Sequence, residues 1–147
     1  MEKFKFVIFF LLSALLAESC ADSTILIMDG PETVTSDEQT VYYKPLFFPD
    51  AKVTLISVAY SLYDMSWNYV DGAGYVEAQY YKKGDCYAED WFRVKASGST
   101  VEVSFAENDT GYMRKLRIRL GGDIKNSGPS SINVIQLPAG VEELPER

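Results

Sequence analysis

The chain has 147 residues, is 47% hydrophobic, and sets 14 lysines and arginines against 21 acids for a net charge of −7, with no histidine at all. That length holds one domain and not two. An acidic chain without basic clusters argues against nucleic acid and anionic headgroups as partners. The missing histidines remove Ser-His-Asp and Cys-His catalysis and the commonest zinc ligand.

Lys3 and Lys5 precede the uncharged run FVIFFLLSALLA, which ends at Ala17. A basic start followed by a short apolar core describes an export signal, and the core is too short to span a bilayer comfortably. Leu16-Ala17-Glu18-Ser19-Cys20 then resembles a bacterial lipobox, although Glu18 stands where a small residue is commoner. On this reading residues 1–19 are removed, Cys20 is the lipid attachment site, and residues 20–23 form a linker at the outer membrane. Asp22 resembles the acidic signals that send such lipoproteins to the cell surface. The alternative is ordinary cleavage near Ser19 or Ala21, which leaves a soluble periplasmic or secreted protein. No long apolar segment follows, so lipid is the expected route to the membrane. With only Cys20 and Cys86 in the chain, lipidation makes Cys86 a lone thiol, and the other arrangement is one disulfide between them.

Residues 24–140 read as a run of short strands. Thr24 to Met28 is apolar on both faces and predicts a fully covered first strand, ended by Gly30-Pro31. A strand around Thr40-Val41-Tyr42-Tyr43 stops at Pro45. Leu46-Phe47-Phe48, bracketed by Pro45 and Pro49, is expected to plug one end of the fold. Val53 to Leu62 predicts the longest strand, with Thr54, Ile56, Val58, Tyr60 and Leu62 on one face. Met65, Trp67 and Tyr69 share a face in the next segment, and Tyr75 to Tyr81 predicts another strand. Val101-Glu102-Val103-Ser104-Phe105 and Leu116-Arg117-Ile118-Arg119-Leu120 alternate at strand period. Asn108-Asp109-Thr110-Gly111 between them suits a turn. A hairpin on that turn sets Val103 opposite Leu116, Val101 opposite Ile118 and Glu102 opposite Arg117. Asn108-Asp109-Thr110 is formally a glycosylation sequon, read here as part of the turn. A polar loop, Gly121 to Ser131, leads to a last strand at Ile132 to Leu137. The acidic tail, 141–147, is expected to fray. Seven or eight such strands with no helical spacing predict an all-β protein, an immunoglobulin-like antiparallel β-sandwich.

Trp-Phe-x-Val at 91–94, a small-residue turn, Val-x-Val, the loop at 108–111, the basic strand 115–120 and Ile-Asn-Val-Ile-Gln-Leu-Pro-Ala-Gly at 132–140 come in a recognisable order. Over about 91–140 they resemble a BACON domain, an immunoglobulin-like sandwich of exported proteins in gut Bacteroidota. The resemblance places Trp91 in a strand and implies a glycan or mucin ligand. It departs from the family's habit of accompanying enzyme modules, since this chain has room for one domain only.

The residues themselves offer little chemistry. There is no phosphate loop. Glu89 and Asp90 would face opposite ways on a strand, so they make no carboxylate pair for glycoside hydrolysis. Asp71 and Asp109 lack calcium spacing. Neither enzyme activity nor a cofactor is expected. Ten tyrosines and two tryptophans are the richer signal. On a strand at 75–81, Tyr75, Glu77, Gln79 and Tyr81 would point outward, and two rings flanking a carboxylate and an amide suit a sugar. The plainer account is that exposed tyrosines stabilise a sheet face by cross-strand pairing. Trp67 and Trp91 read as core. Two functions follow: a glycan- or mucin-binding surface lipoprotein, or a scaffold that offers an edge or apolar loop to another protein at the cell surface. Exposure of Leu46-Phe47-Phe48 would favour the scaffold; a groove beside Tyr75 and Tyr81 would favour sugar.

Overall fold

The computed structural model describes residues 26–70, 86–123 and 130–147. These form nine strands and no helix: β1 (Met28–Asp29), β2 (Thr33–Val34), β3 (Gln39–Pro45), β4 (Val53–Tyr63), β5 (Cys86–Ala88), β6 (Phe92–Ser97), β7 (Thr100–Phe105), β8 (Met113–Gly122) and β9 (Ser130–Gln136). One sheet has the order β1-β3-β7-β6-β5 and the other β2-β9-β8-β4. That is an immunoglobulin-like arrangement, with the first strand divided between the two sheets. All pairings are antiparallel except β2 with β9.

The alternation in the sequence explains the two inner faces. Val101, Val103 and Phe105 of β7 sit between Val41 and Tyr43 of β3 and Phe92, Val94 and Ala96 of β6. Leu116, Ile118 and Leu120 of β8 sit between Val58 and Leu55 of β4 and Ile132 and Val134 of β9. These residues form one core, to which Leu26 and Val34 add, with Tyr60 and Trp91 packed at its margin. β6 and β7 turn through Gly98-Ser99. Gly98 holds a φ of 60° there, as a two-residue hairpin of this hand requires.

Several sequence expectations are corrected. β7 and β8 do not form a hairpin: β7 lies between β3 and β6, and β8 between β4 and β9, in the other sheet. Alternation fixes which face of a strand is buried but not which strand is its neighbour. Glu102 therefore lies opposite Tyr42 and Lys95, and Arg117 opposite Ala59 and Asn133. In β4 the register shifts between Leu55 and Ser57. This bulge moves Val53 and Leu55 inward ahead of it and Val58 and Tyr60 inward behind it, so Thr54 and Ile56 leave the predicted face. The first strand is short and its neighbour Ile27 is exposed. Glu89 and Asp90 lie in the β5–β6 turn, where the Glu89 amide donates to Phe92 O. Trp91 precedes β6 rather than lying in it.

Asn108 closes the sandwich where β7 crosses to β8. Its side chain is fully buried. Nδ2 donates to Tyr112 O (2.9 Å) and Leu137 O (3.0 Å), and Oδ1 accepts from the amide (3.2 Å) and hydroxyl (2.6 Å) of Thr110. Beside it the buried Arg114 donates to Glu107 O and Gln136 Oε1, both at 3.2 Å, with its guanidinium 5.3 Å from the Trp91 ring centre. Burial lowers the Arg114 pKa. The turn predicted at 108–111 is thus the polar lid of one end of the core, and the sequon asparagine points inside.

Candidate functional site

Tyr75, Glu77, Gln79 and Tyr81 lie outside the described residues, as do Cys20 and Asp71. Cys86 carries a free, half-buried thiol on β5, where Sγ accepts from Arg93 Nε at 3.4 Å. Asp109 is exposed beside the Asn108 lid.

The built surface is the outer face of the β2-β9-β8-β4 sheet. Strand β8 runs through it and turns Lys115, Arg117 and Arg119 outward, while its inward residues serve the core. The flanking outward residues are small or short: Ala59 and Ser61 on β4, Ser131 and Asn133 on β9. Long cationic side chains between short neighbours leave a channel on each side. One groove, of about 230 Å³, is lined by Ala59, Tyr60, Ser61, Tyr63, Tyr69, Lys115 and Arg117. The other, about 490 Å³, is bounded by Lys115, Asn133, Glu32, Trp67 and the tail at Leu144 to Arg147. Lys115 is the wall between them. No carboxylate among the described residues pairs with Lys115 or Arg117.

The aromatic rim comes from a tight turn, where the sequence pattern predicts a shared face for Met65, Trp67 and Tyr69. The Asp64 carboxylate accepts from the Ser66 amide (2.8 Å), the Asn68 amide (2.8 Å) and Asn68 Nδ2 (2.9 Å). These bonds, the Asn68 side chain first, lower the Asp64 pKa. An aspartate that satisfies the amides two and four residues on makes an Asx-type turn, and Asp64-x-Ser-x-Asn is its legible signature. The turn holds Trp67 at a φ of 63° and returns the chain so that Tyr69 bridges Tyr63, their rings 5.2 Å apart. Tyr69 stays exposed.

Trp67 is not a core residue. Its Nε1 donates to Pro145 O at 3.1 Å, and the Arg147 guanidinium lies 4.5 Å from its ring centre. The tail predicted to fray is instead pinned at its end, because a half-exposed indole supplies both a donor and a π-face for it.

An aromatic pair beside two cations, in open grooves on a sheet face, can stack on a sugar ring and hold a sulfate or carboxylate on it. Among the described residues, Lys115 and Arg117 are the charged members of the smaller groove, and Glu32, Lys115 and Arg147 line the larger one.

No family model matches the chain. No curated protein matches it either. Among solved structures, an NMR structure of a protein from Bacteroides thetaiotaomicron is similar over 82% of this chain and 97% of that one, at 14% identity and a TM-score of 0.48.

Proposed function

We propose that the chain is a non-catalytic, BACON-like surface lipoprotein domain, anchored to the outer membrane through Cys20, that binds acidic glycans such as sulfated or sialylated mucin chains. The observation that carries this is the juxtaposition of Lys115 and Arg117 with the Tyr63–Tyr69 ring pair in one groove. Neutral sugars would use the rings alone; the cations favour an anionic substituent.

The test is a glycan array and a mucin-binding assay on the processed protein, run at two salt concentrations. Sulfated or sialylated chains should bind and weaken as salt rises, because Lys115 and Arg117 are solvent-accessible charges. Lys115→Ala/Arg117→Ala should weaken binding about tenfold or more, and Tyr69→Ala by a similar factor. Tyr75→Ala/Tyr81→Ala belongs in the same panel. Loss confined to that pair would move the site to residues 75–81 and keep the carbohydrate function. No binding to any glycan would leave the scaffold reading, which the exposure of Leu46, Phe47 and Phe48 favours.

A further inference from the structure

Leu46, Phe47 and Phe48 do not plug the sandwich. They are 52%, 64% and 39% exposed, with Ile27 beside them at 45%. The two pieces are joined, since the Leu46 amide donates to Ile27 O at 2.8 Å. Four large apolar side chains thus project from one end of the fold, over a shallow hollow of about 260 Å³ lined by Phe47 to Ala51. A contiguous apolar projection of this kind marks a contact surface.

The position of the tip within the chain indicates what covers it. Ile27 adjoins the tip, and Cys20 precedes Leu26 by only a few residues in sequence. From Cys20 to Leu26 is six residues, which span about 20 Å at full extension. A lipid on Cys20 therefore holds this end of the sandwich within reach of the headgroups. The opposite end, with the Asp64 turn, Tyr69 and Asn108, lies a strand's length away, roughly 30 Å for the ten residues of β8. Lys44 and Lys52, both exposed, bracket the tip in sequence and can extend to the headgroups while the rings sink.

We infer that Leu46, Phe47, Phe48 and Ile27 dock into the bilayer to which the chain is tethered, so that the sandwich stands on its apolar end and turns the Lys115–Tyr69 face outward. This rests on the lipoprotein reading for its tether. Insertion is shallow, on the order of 5–10 Å, at the boundary of headgroups and acyl chains. It needs no anionic lipid.

The experiment uses the processed protein, purified from membranes and reconstituted into phosphatidylethanolamine–phosphatidylcholine vesicles, with Phe47→Trp as a reporter. Brominated lipids should quench the added emission about twofold and leave that of Trp67 and Trp91 unchanged, because shallow insertion reaches only the tip. Phe47→Asp/Phe48→Asp should remove the protection of residues 46–48 from protease on vesicles and keep the melting temperature, since both side chains are exposed. The mass of the N-terminal peptide is measured on the same sample. A lipidated protein whose reporter indole is not quenched overturns the docking and leaves the anchor intact. Quenching without lipid on Cys20 overturns the anchor and leaves the docking. Absence of both, with concentration-dependent dimerisation, gives the tip to a second copy of the chain.

Discussion

Asn108→Ala is expected to lower the unfolding free energy by about 3 kcal/mol. The substitution deletes the donors to Tyr112 O and Leu137 O and the acceptor that holds Thr110, all where the side chain has no access to water. The buried Leu137 carbonyl, stripped of its donor, costs its full desolvation, about 1–3 kcal/mol, and the lost bonds to Thr110 and to Tyr112 O, which keeps the Thr110 hydroxyl at 3.4 Å, add about 1 kcal/mol. Asn108→Asp should be nearly as damaging: it retains the acceptor and loses both donors. Urea unfolding at neutral pH reads the effect as a drop in midpoint at constant slope. A loss under about 1 kcal/mol would mean that the β7–β8 crossing relaxes without its asparagine.

The second large effect appears at alkaline pH and comes from Tyr43. Burial pushes its pKa far above the usual tyrosine range, and its hydroxyl donates to Pro31 O at 2.6 Å, a bond that needs the proton. The unfolded tyrosine titrates near 10. Below that pH both states hold the proton and stability is complete. Above it the unfolded chain releases a proton that the folded chain keeps, and stability falls by about 1.4 kcal/mol for each further pH unit. Tyr60, raised by burial and then by Glu89 and Asp90, acts in the same direction. Tyr43→Phe should cost about 1 kcal/mol at pH 8, through the lost hydrogen bond, and nothing extra above pH 10. The two stability curves should therefore converge roughly one unit above pH 10. Urea midpoints from pH 8 to 11 test this; a constant gap between wild type and variant would show that Tyr43 ionises alike in both states.

The sandwich is legible in the sequence because strand alternation is a local property. The inward faces of Val101, Val103, Leu116 and Ile118 follow from their immediate neighbours alone. Pairing is not local, and a turn-like sequence between two strands says nothing about whether the chain reverses in one sheet or crosses to the next. Asn108 is the distinguishing residue, and its burial depends on Leu137, almost thirty positions on. The bulge at Ile56 is equally hidden, since an extra residue changes the phase of β4 without changing its composition.

For the candidate site, net charge misleads. An overall −7 describes the chain, but Lys115, Arg117 and Arg119 stand at alternating positions and need only a sheet to place them on one face. Tyr69 can be placed only once Asp64 is recognised as a turn-former. The tip at 46–48 is apolar, and hydropathy alone sends it inward. An apolar run between two prolines is equally suited to a surface contact.

The divided first strand has a mechanical consequence. β1 is bonded to β3 and β2 runs parallel to β9, with Ile135 N to Glu32 O at 3.0 Å and Leu137 N to Val34 O at 2.9 Å. Tension applied at the N-terminus along the strand axis loads these bonds together, in shear, and cannot peel them one at a time. A domain held at that terminus, with its outer face gripping a moving polymer, would carry the pull through two short ribbons that must slip at once. Few as they are, bonds arranged in this way yield later than the same number in a hairpin pulled open from its end.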